Sequence, residues 1–215
     1  MIRGFFIFIF FWMISGNAQS TASKNVSTFT IEAPQLKTTK KIWIYLPEGY
    51  ATAVKKKFSV IYMHDAQNLF DAKTSFVGEW NVDEKLDSLK AQVIVVGIEH
   101  GNEKRIEELT PYKNEKYGGG NADNYVDFIV KTLKPYIDKN YRTKTKPKNT
   151  IIMGSSLGGL VSYYAAENTR KFLVKRAFFL LHFGFQKKFS LLLKKPKKLK
   201  QKYIFYVAIM KMKTW

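Results

Sequence analysis

The chain has no cysteine. A disulfide framework, a thiol nucleophile and a lipid-modified cysteine are therefore excluded. Histidine is almost as scarce: His64, His100 and His182 are the whole set, scattered without metal-ligand spacing, so no metal site is expected; no cofactor is expected either. The longest apolar run, Phe5–Ile14, is too short for a comfortable membrane span. Acid is the most unevenly missing component. Against 36 Lys+Arg the chain has 17 Asp+Glu, a formal charge of +19. All 17 acids lie within residues 1–167, where the balance is +5, and residues 168–215 carry 14 basic residues and no acid. Asymmetry of that size separates an ordinary globular portion from a basic segment of different character.

What is present fits one domain with a sizeable core: 215 residues, 46% of them hydrophobic. Residues 1–18 read as a signal peptide, with Arg3 as the positive start, Phe5–Ile14 as the apolar stretch and Gly16-Asn17-Ala18 before the cut. The mature chain is then expected to begin near Gln19, secreted or periplasmic, with no stable membrane insertion after cleavage; an uncleaved anchor is the alternative. Residues 19–167 are assigned to the domain and 168–215 to an aberrant tail.

Strands are expected at Thr28–Ile31 and Ile42–Leu46, with a turn at Pro47-Glu48-Gly49. Phe58–Met63, Val93–Ile98 and Thr150–Met153 are continuous apolar runs of strand length, the pattern of strands buried on both faces. Between them, Asn81–Lys90 and Ala122–Tyr136 have helical apolar spacing, and a long polar loop ends in Gly118-Gly119-Gly120. Leu157–Glu167 is a further helix. Strand–helix–strand alternation predicts an α/β fold with a mostly parallel sheet flanked by helices.

The stretch from Ile151 to Leu160, IIMGSSLGGL, places a glycine-flanked serine between a buried strand and a helix. That is the context in which G-x-S-x-G forms a nucleophile elbow. A serine hydroxyl needs a base to take its proton, and the tetrahedral intermediate needs fixed donors for its oxygen. The sharp turn lifts Ser156 clear of the sheet and aims the N–H of Leu157 at a substrate carbonyl. Gly154 and Gly158 permit the crowded backbone. A packing turn or a phosphate-binding turn is the competing reading. The second oxyanion donor of such sites comes from the loop after an earlier strand, here His64–Asp71.

Four segments in order, YMHDAQNLFD, GEWNVDEKL, RIEELTPY and IIMGSSLGGL, resemble the putative-esterase family of α/β-hydrolases, which includes esterase D, feruloyl and siderophore esterases and mycolyltransferases. The resemblance covers roughly residues 25–167. It implies ester hydrolysis through an acyl-enzyme, with Ser156 as nucleophile and the backbone amides of Gln67 and Leu157 as the oxyanion hole. Family members usually carry glycine where this chain has Ala66. Trp80 is read as lining the acyl pocket, with plain core as the alternative. The implied partner is a small-molecule or carbohydrate-linked ester, not nucleic acid. His64, at the end of a buried strand and before the serine, is read as structural. Arg105, Glu107 and Glu108 are read by default as a solvated loop that could frame substrate.

A hydrolase of this fold runs Ser, then Asp or Glu, then His along the chain. After Ser156 only Glu167 and His182 remain. Glu167 sits about three turns down the elbow helix, and His182 has no acid near it in sequence. The triad acid and base are thus missing, and the domain is expected to be incomplete at its C-terminus. The acid-free tail reads as a frameshift. Taken from the third base of each codon, Asn168–Ser190 can encode a loop, a strand and a turn of family type, and Met210-Lys211 and Met212-Lys213 each force a glutamate. The function expected from sequence is a serine esterase by lineage, crippled in this form. The alternative is a non-catalytic secreted protein whose basic tail binds anionic membrane or polyanions. A carbohydrate-binding module using Trp80 has no clear support.

Overall fold

In the computed structural model, which describes residues 19–76, 78–169 and 175–179, the chain opens with an antiparallel hairpin. Strand β1 (Val26–Ala33) pairs with β2 (Thr38–Tyr45) so that Ala33 faces Thr38. The apolar runs then supply β3 (Ser59–His64), β4 (Val93–Ile98) and β5 (Thr150–Ser155). Lys175–Phe179, inside the basic segment, forms β6. The six strands make one sheet in the order β1-β2-β4-β3-β5-β6. β3 runs parallel to both β4 and β5, and β5 parallel to β6, while β2 is antiparallel to β4. The expected mostly parallel sheet is therefore present, with the hairpin as its antiparallel edge.

Helices α1 (Val82–Ser88), α2 (Arg105–Leu109), α3 (Ala122–Asp127), α4 (Lys134–Asn140) and α5 (Leu157–Asn168) pack around the sheet. On one face Ile44, Tyr62, Val96 and Ile152 meet Tyr125, Phe128, Leu133 and Val161. On the other face Tyr45, Met63 and Val95 meet Leu69 and Phe70, with Val82 and Leu86 of α1 packed alongside. Side chains alternating to opposite faces of buried strands explain why both faces must be apolar.

Two segments differ from the sequence expectation. The helix expected over 122–136 continues to Asn140 and widens into a π turn at Phe128–Leu133. Pro135, the second residue of α4, lacks the N–H that would close the regular ladder there. The polar loop before Gly118 contains α2, whose Glu108 and Leu109 are buried. No helix among the described residues is long and apolar enough to cross a membrane. The expected signal peptide at 1–18, and His182 with the tail past residue 179, lie outside the described residues.

Candidate active site

β5 ends at Ser155 and α5 begins at Leu157, so the whole change of direction falls on Ser156. Its backbone sits at φ 53°, ψ −120°, a conformation that costs a non-glycine residue about 1–3 kcal/mol. The neighbouring glycines are there for space. A Cβ on Gly154 would lie 2.8 Å from the Gly158 carbonyl carbon and 2.8 Å from the His64 ring, and one on Gly158 would lie 3.2 Å from His64 Cβ. Strand, turn and helix thus close on one another, which presents Ser156 half-exposed at the N-terminal end of a 12-residue helix. Partial positive charge at that end favours a developing oxyanion.

His64 lies directly beneath the elbow, fully buried. Its Nδ1 is 2.8 Å from the Tyr125 hydroxyl and its Nε2 is 2.9 Å from Ser162 Oγ, which itself donates to the Gly158 carbonyl at 2.7 Å. Because the Ser162 proton goes to Gly158, Nε2–H donates to Ser162 and Nδ1 accepts from Tyr125. The ring is neutral. Burial pushes its pKa down to about 4; nearby Asp65 opposes that and Arg105 adds to it. Both nitrogens are occupied in support of the turn, as the structural reading of His64 anticipated.

The loop after β3 forms a 3-10 turn over Ala66–Asn68, entered through Asp65 in the left-handed region at φ 58°. Ala66 does not adopt a positive φ, so its methyl group meets no backbone strain there. The Gln67 side chain is clamped to the loop after β4: Nε2 donates to the His100 carbonyl at 3.1 Å, and Oε1 accepts the His100 N–H at 3.3 Å. Thr74 Oγ donates to the Gln67 carbonyl at 2.9 Å. The Gln67 N–H makes no hydrogen bond to a described residue, and the Leu157 N–H, first in its helix, has no acceptor within that helix.

These loops enclose a cleft of about 670 Å³ in which Gln67, Trp80, Ser155 and Ser156 are brought together with His100 and Arg105. Trp80 also borders an apolar groove of about 590 Å³ that runs along Met63, Leu86, Val95 and Met153. Phe76, 90% exposed, stands at the rim of the cleft. Arg105 is not the solvated loop residue the sequence suggested. Its guanidinium grips Asp65 in a two-pronged pair, Nε to Oδ1 at 2.7 Å and Nη2 to Oδ2 at 2.9 Å. Glu108 is likewise buried, 2.6 Å from the Lys40 ammonium. Only Glu107 is exposed as expected. His100 accepts the Asn102 N–H at Nδ1, 2.9 Å away, so its proton sits on Nε2.

A mainly parallel sheet with a serine elbow at the end of an inner strand defines the α/β-hydrolase class. The chain belongs to the family described as "Putative esterase", whose model matches residues 33–175. Among curated proteins it is similar to the uncharacterised protein YbbA of Bacillus subtilis (strain 168), 27% identical over 132 residues, 59% of this chain and 50% of YbbA. It thus spans about half the length of that relative. Among solved structures it is similar to an IroE-like serine hydrolase from Shewanella oneidensis, at 22% identity and TM-score 0.64 over 88% of this chain and 74% of that one. The BES protein from Bacillus cereus shares 19% identity with TM-score 0.59 over 89% of each chain. The enterobactin esterase FES from Shigella flexneri shares 16% with TM-score 0.59, over 79% of this chain and 41% of its own. At these identities the likeness to solved structures is one of fold.

Proposed function

We propose that this chain is a carboxylic-ester hydrolase by lineage, acting through an acyl-enzyme on Ser156, with the N–H groups of Gln67 and Leu157 as the oxyanion hole. The observation that carries the reading is the strained Ser156 backbone held between Gly154, which has no room for a Cβ, and Gly158, where one would crowd His64 at 3.2 Å. Ser156 Oγ would attack the ester carbonyl carbon, the carbonyl oxygen would gather charge between the two amides, and the alcohol would leave. Trp80 and Phe76 supply apolar contact for the ester. His100 Nε2–H and Arg105 supply donors for its oxygen atoms. The substrate class is a small-molecule or carbohydrate-linked ester.

Neither histidine among the described residues offers the hydroxyl proton a free ring nitrogen. Both His64 nitrogens are engaged, and His100 offers a donor at Nε2. The 215-residue chain is therefore proposed to acylate slowly and turn over little, several orders of magnitude below a complete triad.

The test is p-nitrophenyl acetate with and without added imidazole as an external base, followed by mass spectrometry of the Ser156 peptide. An acetyl adduct that grows with imidazole and is absent in Ser156→Ala supports the nucleophile. Adduct formation unchanged by Ser156→Ala would overturn it. Fast multiple turnover without imidazole, lost in Ser156→Ala, would keep the nucleophile and overturn the crippled state.

A further inference from the structure

The tightest cluster of negative charge among the described residues lies at the entrance to α1. Carboxylate oxygens of Glu79, Asp83 and Glu84 all fall within 4.8 Å of one another. Asp83 is fully buried. Its Oδ2 accepts the Ser23 N–H at 2.7 Å, while its Oδ1, sealed from solvent, meets no donor. Glu79 repeats the pattern: one oxygen accepts the Thr21 hydroxyl at 2.8 Å, and Oε1 is buried without a donor.

Buried acceptors need a donor or a cation, and like charges so close repel strongly where water is excluded. None of the ion pairs among the described residues reaches this cluster. The adjacent Lys85 ammonium is engaged by the Trp80 carbonyl at 2.8 Å.

We propose that Glu79, Asp83 and Glu84 form a divalent-cation site of the calcium class. The donors are all hard oxygens, with no nitrogen or sulfur, which selects against zinc and copper. Calcium's flexible shell, with metal–oxygen bonds of roughly 2.3–2.6 Å, tolerates an irregular carboxylate set better than the strict octahedron of magnesium. Glu84 is exposed, which leaves a path for the ion and room for water ligands. Scarce, unclustered histidines gave the sequence no hint of metal, and a carboxylate site does not depend on them.

The ion would join three parts of the chain: the N-terminal segment through Thr21 and Ser23, the loop carrying Glu79, and α1. Trp80, next to Glu79, is the wall shared by the cleft and the apolar groove. Occupancy would therefore fix the Ser156 cleft from the side without touching the reacting atoms. The proposal does not use the esterase reading and stands or falls separately.

The test uses the full chain in chelator-treated buffer with terbium as the probe, exciting tryptophan and reading sensitised terbium emission. Emission should saturate and be displaced by calcium with a midpoint in the range of about 0.1–1 mM. Calcium should also raise the thermal midpoint. Glu84→Gln, an exposed change that leaves the core intact, should weaken binding at least about tenfold, and Asp83→Asn should abolish it. Trp80→Phe should lose most of the emission while keeping the calcium-induced thermal shift. Emission undiminished in both carboxylate variants would overturn the site. So would a parent protein that ignores calcium while Asp83→Asn is more stable, since the pair would then be holding a proton.

Discussion

Ser156 stores strain that a glycine would not feel. At φ 53°, ψ −120° the side chain is the source of the cost, so Ser156→Gly should raise stability by about 1–3 kcal/mol over Ser156→Ala, read by urea unfolding, while both abolish acylation. Equal stability of the two variants would show that the turn is relaxed. The serine and its glycines were legible in the sequence because the elbow is a local device whose residues are consecutive. His100 was not legible as a cleft residue, and Arg105 was legible only as part of a loop that could frame substrate, because separate loops bring them beside Asp65 and none carries a spacing rule. Gln67 was visible only as a backbone donor; the clamp of its side chain on His100 depends on how the loop after β4 returns.

At the scale of elements, the buried strands were readable because continuous apolar runs such as Val93–Ile98 have few other folded uses. Helix α2 was not, since five residues make barely one turn and cannot form alone in water. Its position comes from distant partners: Glu108 holds Lys40 of β2 at 2.6 Å and accepts the Gly101 N–H at 3.0 Å, while Arg105 holds Asp65. Removing one member of a buried ion pair leaves an uncompensated charge. Glu108→Ala should therefore cost about 3–5 kcal/mol, and adding Lys40→Met should recover most of it in the same denaturant assay. If the double variant is no more stable than the single one, the pair is not what anchors α2. The π turn at Phe128–Leu133 escaped prediction for a related reason: the apolar spacing identified a helix but carried no signal for a change of pitch.

For the whole molecule, the same buried imidazole that supports the elbow sets a dependence on pH. His64 titrates near 6.5 when free and about 4 when folded, so the unfolded chain binds its proton first. The stability it contributes is complete above pH 6.5 and is lost as pH falls toward 4, by roughly 3 kcal/mol in all. Asp83, raised to about 6, acts in the opposite sense: its contribution is present at low pH and is lost as pH rises through that value. The contribution of His64 is thus measured as a difference. His64→Gln should be less stable than the parent at pH 7, with the gap narrowing between pH 6.5 and 4. A gap constant across that range would mean the imidazole is not kept neutral.

The long-range bonds of residues 20–25 have a consequence for how the molecule comes together. Ser20, Thr21, Ser23 and Asn25 find their partners at Asp71, Glu79, Asp83 and Asp87, between 51 and 62 residues later. A chain emerging from the ribosome must leave this segment idle until the turn into the first helix has been synthesised. Residues 20–25 are made early and fastened late, and translation speed across residues 71–87 sets how long they wait for their partners.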